Sequence, residues 1–373
     1  MNFSPDEIAR YQRHLSLAGF GPEAQAKLKH GSVLVIGAGG LGCPALLYLA
    51  AAGVGRIEIV DGDRVDVSNL QRQVLFTSAD AGEIKVEAAA RRLRALNPLI
   101  EIVPHALRFT RENALALVGR CDVVLDGSDN FATRYLANDA CVLADRPLVY
   151  GAIHRFEGQA SVFNWHGGPT YRCLFPEPPE SGSVPNCAEA GVLGVLPGLI
   201  GTVQATETIK LLTGIGEPLS GQLLLWDALS MMTRTVRFAA DPRSREIRDL
   251  PPEGYGETCA VPVATNDEAL PPEIDVTEFR ARLGGGRAPQ VIDVREGWER
   301  ALVAIEPDVL VPLGELERGT INLSALDASA PTVVYCAAGA RSLRAAEMLR
   351  TRHGFRSVTS LRGGMKAWTA QAR

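Results

Sequence analysis

The sequence has no long hydrophobic run, no excess of basic residues and no C-x-x-C pair. Its longest apolar stretches, residues 41–55 and 192–200, are shorter than the ~18 residues that a membrane span needs, so we expect no membrane segment. Lys and Arg number 38 against 43 Asp and Glu, and the net charge of −5 gives no support for nucleic-acid binding. An odd number of cysteines, seven, and an acidic opening without a signal-like apolar block predict reduced thiols in a cytoplasmic protein.

The chain does have the length and apolar content of a two-domain globular protein, with 373 residues of which 46% are hydrophobic. From residue 33 onward, short apolar strands such as VLVI (33–36) and DVVLD (122–126) alternate with helical stretches. This alternation predicts an α/β fold with a Rossmann-like, doubly wound, mostly parallel sheet. Six prolines between Asp241 and Pro272 indicate a linker, after which a second, smaller α/β unit begins. The predicted domains are residues 1–240 and 272–373, joined by a proline-rich linker over 241–271.

A glycine-rich turn follows the first predicted strand. The segment GAGGLG places Gly37, Gly39 and Gly42 at the spacing G-x-G-x-x-G, with Gly40 between them, where a strand leads into a helix. Such a turn lets the backbone approach a phosphate, which the helix N-terminus then faces. Asp61 ends the second strand and is placed to accept hydrogen bonds from a ribose. Taken alone, this pattern indicates a nucleotide or dinucleotide, and an NAD-dependent oxidoreductase is the obvious alternative.

The segment after the second strand favours a triphosphate over a nicotinamide pocket, because it is rich in polar side chains. At the edge of the sheet where such folds bind ligands stand Asp63, Asn69, Gln71 and Arg72. Lys85, an isolated lysine in an arginine-rich chain, is predicted to lie in the first turn of a helix. A cation there opposes the helix dipole, so a bound anion would account for it; a solvated surface lysine is the alternative.

Two carboxylates, Asp126 and Asp129, close the fourth predicted strand in the segment LDGSDN. Carboxylates beside a phosphate site are unfavourable unless a divalent cation such as Mg²⁺ lies between them. The motifs GAGGLG, SNLQRQ and DGSDN, the opening RYQRH and Lys85 together resemble the MoeB/ThiF/HesA family, which is related to ubiquitin-activating enzymes. The resemblance extends from about Glu7 to Arg237.

The resemblance implies an ATP site, a homodimer and a protein substrate. Together with Gly37, Gly39 and Asp63 of the motifs above, the residues expected to bind ATP are Gly40, Asp61, Ser68, Asn69, Leu70, Gln71, Arg72, Lys85, Asp129 and Asn130. Asp129 would hold Mg²⁺, and Arg13 would reach into the site of the partner protomer. The implied substrate is a small ubiquitin-like sulfur-carrier protein whose C-terminal Gly-Gly carboxylate attacks the α-phosphate of ATP. Arg72, Lys85, Arg13 and Mg²⁺ would then neutralise the charge of the transition state.

The cysteines of the first domain depart from the family pattern. Many members bind structural zinc with two C-x-x-C pairs, but here Thr170 stands where the first pair would begin, and residues 238–250 contain no cysteine. We therefore expect no zinc. The segment 176–194 resembles a zinc-less subgroup in which a proline-rich loop crosses over the carrier's tail and presents Cys187. A small hydrophobic role in the loop is the alternative for Cys187.

Cys336 ends a predicted buried strand in PTVVYCAAGARS and is followed by a small-residue loop, Arg341 and a helix. Loop N–H groups and a helix N-terminus stabilise a thiolate or persulfide, and a buried structural cysteine is the alternative. The segment resembles the rhodanese active loop, supported by VIDVRE (291–296) and LRGGMKAW (361–368). Four residues separate Cys336 from Arg341, the short loop of sulfurtransferases rather than the longer one of the related phosphatases.

The two resemblances predict an adenylyltransferase and sulfurtransferase that converts the carrier's carboxylate into a thiocarboxylate. Molybdopterin, thiamin and related pathways all use such activators, so the carrier stays open. The sulfur donor to Cys336, such as a cysteine desulfurase or thiosulfate, also stays open. A binding scaffold with a degenerate rhodanese domain is the alternative from another class.

Overall fold

This computed structural model describes residues 3–178, 191–251, 255, 271–285 and 288–371. The chain divides into two compact units, Met1–Ala260 and Val261–Arg373. Within the described ranges, no helix combines the length and hydropathy that crossing a membrane requires.

The first unit is built on one eight-stranded sheet with the strand order β3-β2-β1-β4-β5-β6-β7-β8. Its strands are β1 Ser32–Ile36, β2 Arg56–Val60, β3 Glu101–His105, β4 Val123–Asp126, β5 Leu148–His154, β6 Glu157–Phe163, β7 Gln222–Asp227 and β8 Met232–Arg237. The pairings from β3 through β5 are parallel, and those from β5 through β8 are antiparallel. This arrangement confirms the predicted Rossmann-like sheet.

The helices of the first unit position the ends of these strands. They are α1 Pro5–Leu15, α2 Gly21–His30, α3 Gly42–Ala52, α4 Lys85–Leu96, α5 Arg111–Val118, α6 Phe131–Leu143 and α7 Val195–Thr213. At the start of α1, Ser4 and Glu7 exchange the two hydrogen bonds of a capping box. In α7, the buried Gln204 donates from Nε2 to the carbonyl of Asp126 at 2.6 Å, which fixes the end of β4.

The predicted start of the linker, residue 241, differs from the structure. Residues Pro242–Arg245 form a short 3-10 helix, and Leu250 is buried in an apolar cluster of the first unit. The Sγ of Cys173 accepts a hydrogen bond from the Asp241 N–H at 3.3 Å and is hydrogen-bonded to Ser244 Oγ at 3.1 Å. The described stretch 241–251 is therefore docked on the first unit.

The second unit is a smaller, wholly parallel sheet with the order β11-β10-β12-β13-β9. Its strands are β9 Glu273–Ile274, β10 Gln290–Asp293, β11 Val309–Leu310, β12 Thr332–Tyr335 and β13 Val358–Leu361. Its helices are α8 Val276–Leu283, α9 Gly297–Leu302, α10 Leu313–Arg318, α11 Ala340–His353 and α12 Gly364–Ala370. The predicted second α/β unit is confirmed, and its central strand β12 leads directly to Cys336.

Candidate active sites

A cavity of about 620 Å³ opens at the carboxyl ends of β1, β2 and β4 in the first unit. The strand order reverses between β1 and β4, and such switch points are where open α/β sheets bind ligands. Nine of the residues predicted to bind ATP line it: Gly37, Gly39, Gly40, Asp61, Asp63, Arg72, Lys85, Asp129 and Asn130.

The glycine turn is held tightly against the neighbouring strand. Gly37 has φ +89°, and a Cβ there would lie 3.1 Å from the carbonyl oxygen of Gly127, so a larger residue is excluded. The Asp61 carboxylate accepts hydrogen bonds from the N–H of Ala38 at 2.9 Å and of Asp63 at 2.8 Å. Asp61 therefore fixes the turn and also lines the cavity. Its predicted role in binding a ribose stays a prediction.

Lys85 is the first residue of α4 and only 5% exposed, so the alternative interpretation, a solvated surface lysine, is wrong. Its Nζ lies 3.1 Å from Oδ2 of Asp63, whose side chain is exposed. Arg72 donates to the carbonyl of Ser68 at 3.3 Å. The neighbouring Gln73 is buried, and its Oε1 has no hydrogen-bond partner among the described residues. The cavity wall thus combines a buried ammonium, a guanidinium and an unused amide oxygen.

The two carboxylates after β4 have different environments. Asp126 is fully buried, and its burial raises the pKa of the carboxyl. One oxygen of Asp126 accepts from the Ser128 N–H at 2.9 Å, and the other has no hydrogen-bond partner among the described residues. Asp129 is exposed and lines the cavity, while Asn130 caps α6 by accepting from the Thr133 N–H at 2.9 Å. Asp126 thus shapes the loop that presents Asp129.

Five predicted site residues do not line this cavity in the described part of the chain: Arg13, Ser68, Asn69, Leu70 and Gln71. Ser68 and Asn69 lie in the 3-10 turn Val67–Asn69 beside Arg72, where Asp66 accepts a hydrogen bond from the Ser68 N–H at 2.8 Å. Arg13 is exposed in the last turn of α1.

In the second unit, Cys336 is 1% exposed at the end of β12. Its Sγ accepts a hydrogen bond from the Gly339 N–H at 3.1 Å and contacts Ser342 Oγ at 3.5 Å. Ser360 Oγ donates to Ser342 Oγ at 2.9 Å and so orients that hydroxyl. Both contacts place hydrogen-bond donors against the sulfur, the arrangement that stabilises a thiolate.

Arg341 lies in the first turn of α11 and is paired with Glu299 of α9. Its two Nη atoms each donate to one carboxylate oxygen at 2.8 Å. Donating these hydrogen bonds to the Glu299 carboxylate raises the pKa of Arg341. Burial by itself would raise the pKa of Glu299, but the hydrogen bonds from Arg341 outweigh it and hold this pKa below its ordinary value. Both groups are therefore charged, and the guanidinium next to the Cys336 loop is largely neutralised.

Comparison with known proteins settles the family of both units. Residues 11–246 match the ThiF family, and residues 275–371 match the rhodanese-like domain. The chain belongs to the ThiF family. Its two domains make it an enzyme of the adenylyltransferase and sulfurtransferase class.

Relatives of this ThiF-family chain include proteins named for both an adenylyltransferase and a sulfurtransferase activity. It is 47% identical to the probable adenylyltransferase/sulfurtransferase MoeZ of Mycobacterium tuberculosis over 374 residues, which is 99% of this chain and 94% of the relative. It is 53% identical to the sulfur carrier protein adenylyltransferase of Thermus thermophilus over 67% of this chain and 94% of that protein. The crystal structure of E. coli MccB has a TM-score of 0.57 at 23% identity, covers 64% of this chain and 72% of that one, and shows the fold alone.

Several cavity residues of this ThiF-family chain escaped the sequence prediction. They are Gln73, Arg108, Arg111, Ser128, Arg134 and Tyr255. Arg108 and Arg111 follow the end of β3, and the rule that parallel strands meet at one edge could have identified them. Tyr255 carries no such signal, because it lies in the segment predicted to be linker.

The other described cysteines are three buried thiols and the half-buried Cys173. Cys43, Cys121 and Cys141 are buried in the core, and burial raises the pKa of each thiol, to about 12 for Cys43 and Cys121. Cys173 instead accepts from the Thr170 N–H at 3.3 Å, in addition to its two bonds from the 241–245 segment. Burial opposes the change, but these donors lower the pKa of Cys173. The predicted loop cysteine, Cys187, lies outside the described residues.

Proposed function

We propose that the first unit uses ATP to adenylate the C-terminal Gly-Gly carboxylate of a ubiquitin-like sulfur carrier, of the MoaD or ThiS type. The second unit then supplies sulfur from a persulfide on Cys336, so that the carrier ends in a thiocarboxylate. The observation that carries this proposal is the convergence of the glycine turn, Arg72, Lys85 and Asp129 on one cavity, in a chain that also holds Cys336 against hydrogen-bond donors. The Thermus relative is named for the same substrate class.

The cavity residues fit a nucleoside triphosphate with Mg²⁺. The glycine turn lines the cavity with backbone, and two buried oxygens, of Gln73 and Ser128, have no hydrogen-bond partner among the described residues. No cluster of three or more metal-binding side chains occurs in the described ranges. Asp129 would therefore hold Mg²⁺ together with phosphate oxygens, the usual arrangement for this ion. When bound, Mg²⁺ supplies positive charge that offsets the triphosphate.

In the adenylation step, a carboxylate oxygen of the carrier forms a bond to the α-phosphorus while the bond to the β-phosphate oxygen breaks. Pyrophosphate leaves, and no proton has to move. Lys85 and Arg72 are placed to stabilise the developing charge, and their restricted positions avoid reorganisation during the reaction. Arg13 completes the site from the partner protomer, which requires a homodimer. Ser68, Asn69, Leu70 and Gln71 contribute by shaping the turn that carries Arg72.

In the sulfur step, the terminal persulfide sulfur on Cys336 attacks the acyl carbon and AMP leaves, giving an acyl disulfide between carrier and enzyme. The Cys187 thiolate then attacks the Cys336 sulfur and releases the thiocarboxylate. A Cys187–Cys336 disulfide remains, which an external thiol reduces. Thiols must stay reduced for this cycle, which suits the cytoplasm. Cys187→Ala should accumulate the acyl disulfide, seen by intact mass without reductant; normal turnover of this variant would remove Cys187 from the mechanism.

No structural zinc is proposed for this chain. The N–H groups of Thr170 and Asp241 and the hydroxyl of Ser244 surround the Cys173 sulfur, where zinc-binding relatives of the family would carry further thiolates. Metal analysis of the purified protein should find well below one zinc per chain. A full equivalent would show that other residues supply the ligands.

The test of the main proposal is ATP–pyrophosphate exchange with purified Gly-Gly carriers from the molybdopterin, thiamin, cysteine and tRNA-thiolation pathways. One carrier should support exchange and should then be converted to its thiocarboxylate when a cysteine desulfurase or thiosulfate is supplied. Binding of a carrier without exchange would favour the scaffold function instead. Exchange without sulfur transfer would confine the activity to the first unit and leave the rhodanese-like domain as a docking module.

A further inference from the structure

We propose that Tyr255 forms a wall of the ATP cavity and that the buried Asp139 carboxylate is the positioning residue that holds it there. The inference rests on the proposed assignment of this cavity to ATP. It makes Tyr255, which lies beyond the ThiF-family match, part of the adenylation site.

Tyr255 lines the cavity together with Leu136 of α6 and Arg111 of α5. Its hydroxyl donates to Oδ2 of Asp139 at 2.5 Å. Its ring is stacked on that of Tyr135, with centroids 6.3 Å apart and planes 21° apart. A hydrogen bond at one end and a stacked ring at the other fix both the position and the tilt of the aromatic plane. Burial raises the pKa of Tyr255, so the hydroxyl stays a donor at neutral pH.

Asp139 is 2% exposed and is fully satisfied by hydrogen bonds. Arg172 donates to it with Nε at 2.8 Å and with Nη2 at 2.7 Å, and Asn138 Nδ2 donates at 2.8 Å. A buried carboxylate with this many donors is strongly ordered, whereas removing one partner leaves an uncompensated charge. Tyr255 therefore docks on a rigid acceptor.

The same network fixes a second segment, the residues that precede the stretch containing Cys187. Arg172 Nη1 donates to the carbonyl of Pro176 at 3.0 Å, and Tyr135 Oη donates to the carbonyl of Glu177 at 2.6 Å. The Arg172 guanidinium lies 4.9 Å from the Tyr135 ring centroid and 5.9 Å from that of Tyr255. Asp139 thus holds Tyr255 directly and, through Arg172, the carbonyl of Pro176.

A cavity wall that contacts ATP equally in the ground state and in the transition state stabilises both states to the same extent. Its loss should raise KM for ATP and leave kcat nearly unchanged. A merely structural role predicts the opposite pattern, because partial unfolding reduces the amount of active enzyme without changing the KM of what remains. A change confined to KM therefore indicates that Tyr255 positions the ATP site, and a change confined to the apparent kcat indicates a role in fold stability.

The experiment uses the full chain, with Tyr255→Ala, Tyr255→Phe, Asp139→Asn and the double variant Asp139→Asn/Tyr255→Phe. Trp298→Ala, which truncates an exposed aromatic side chain of the second unit, is the matched control. In pyrophosphate exchange, we expect KM for ATP to rise about tenfold in Tyr255→Ala and about threefold in each conservative variant. Asp139→Asn also disturbs the Arg172 pair, so the double variant should be no worse than Asp139→Asn alone if Tyr255 acts on KM through its hydrogen bond to Asp139.

A KM for Tyr255→Ala within twofold of the Trp298→Ala value would overturn the inference. If Tyr255→Ala does not fold, the double-variant cycle decides, and additive effects on KM would count against a shared role. Calorimetric titration with ATP alone gives the same comparison without any carrier. Wild-type protein that binds ATP but exchanges with no carrier would contradict the proposed function and leave this inference intact.

Discussion

The two units each end a central parallel strand in a tight turn that leads into a helix, yet the two turns serve different chemistry. In the first unit, the turn after β1 faces a cavity of about 620 Å³ lined by Lys85 and Arg72. In the second, the turn after β12 surrounds the buried sulfur of Cys336, and Arg341 beside it is paired with Glu299. Backbone N–H groups at a helix N-terminus favour any anion. The two turns differ in room: the first faces a cavity large enough for a polyphosphate, whereas the second encloses a single sulfur.

The largest expected effect separates the activities of the two units, because one variant should abolish sulfur transfer and leave adenylation intact. Cys336→Ala should abolish thiocarboxylate formation and thiosulfate:cyanide sulfurtransferase activity, because no other described thiol lies in such a turn. Pyrophosphate exchange should stay within twofold of wild type. Cys121→Ser, a change at a buried core cysteine, is the control for altered folding. Retained sulfur transfer in Cys336→Ala would show that the sulfur travels on another cysteine.

The next effect tests the charges of the first cavity. Arg72→Ala, Lys85→Ala and Asp129→Ala should each lower exchange by ~10²–10³-fold, the usual loss when one group is removed from a preorganised charge-stabilising site. Lys366→Ala, which removes an exposed lysine of the second unit, should have no effect. Wild-type exchange rates in the three folded variants would refute their assignment to the α-phosphate.

A smaller effect tests whether the first cavity needs a second protomer. Arg13→Ala and Asp129→Ala should each be inactive alone, but mixing them should restore up to about a quarter of the wild-type exchange rate, since hybrid dimers contain one intact site. The measurement is exchange before and after subunit mixing, with sedimentation to follow the dimer. A fully active monomer would contradict the role of Arg13.

The contrast between the two turns also explains what could be predicted from sequence. The glycine turn, Lys85, Asp129 and Cys336 each stand at the end of a recognisable strand or the start of a helix, so local pattern predicted their positions in the fold, while their roles came from the family resemblance. Glu299 and Tyr255 were missed because each acts on a residue distant in the chain, Arg341 and Asp139 respectively. The burial of Lys85 was also beyond local pattern, since it depends on how α4 packs against β3 and α3. Pairwise partners of this kind are set by tertiary packing, which a single sequence does not encode in its periodicity.

The smallest expected effect comes from removing the carboxylate charge that neutralises Arg341 beside the Cys336 turn. Glu299→Gln keeps the shape of the side chain and its acceptor oxygen toward the Glu296 N–H, but removes the negative charge that neutralises Arg341. A charge pair of this exposure is worth about 1 kcal/mol, so KM for thiosulfate, a dianion, should fall about fivefold with kcat little changed. A neutral persulfide donor should show no comparable gain. Glu296→Gln, a change at a neighbouring acidic residue without a bond to Arg341 in the described structure, is the matched control. Equal changes in both variants would mean that general charge near the loop, rather than the Glu299–Arg341 pair, sets the preference of Cys336 for its sulfur donor.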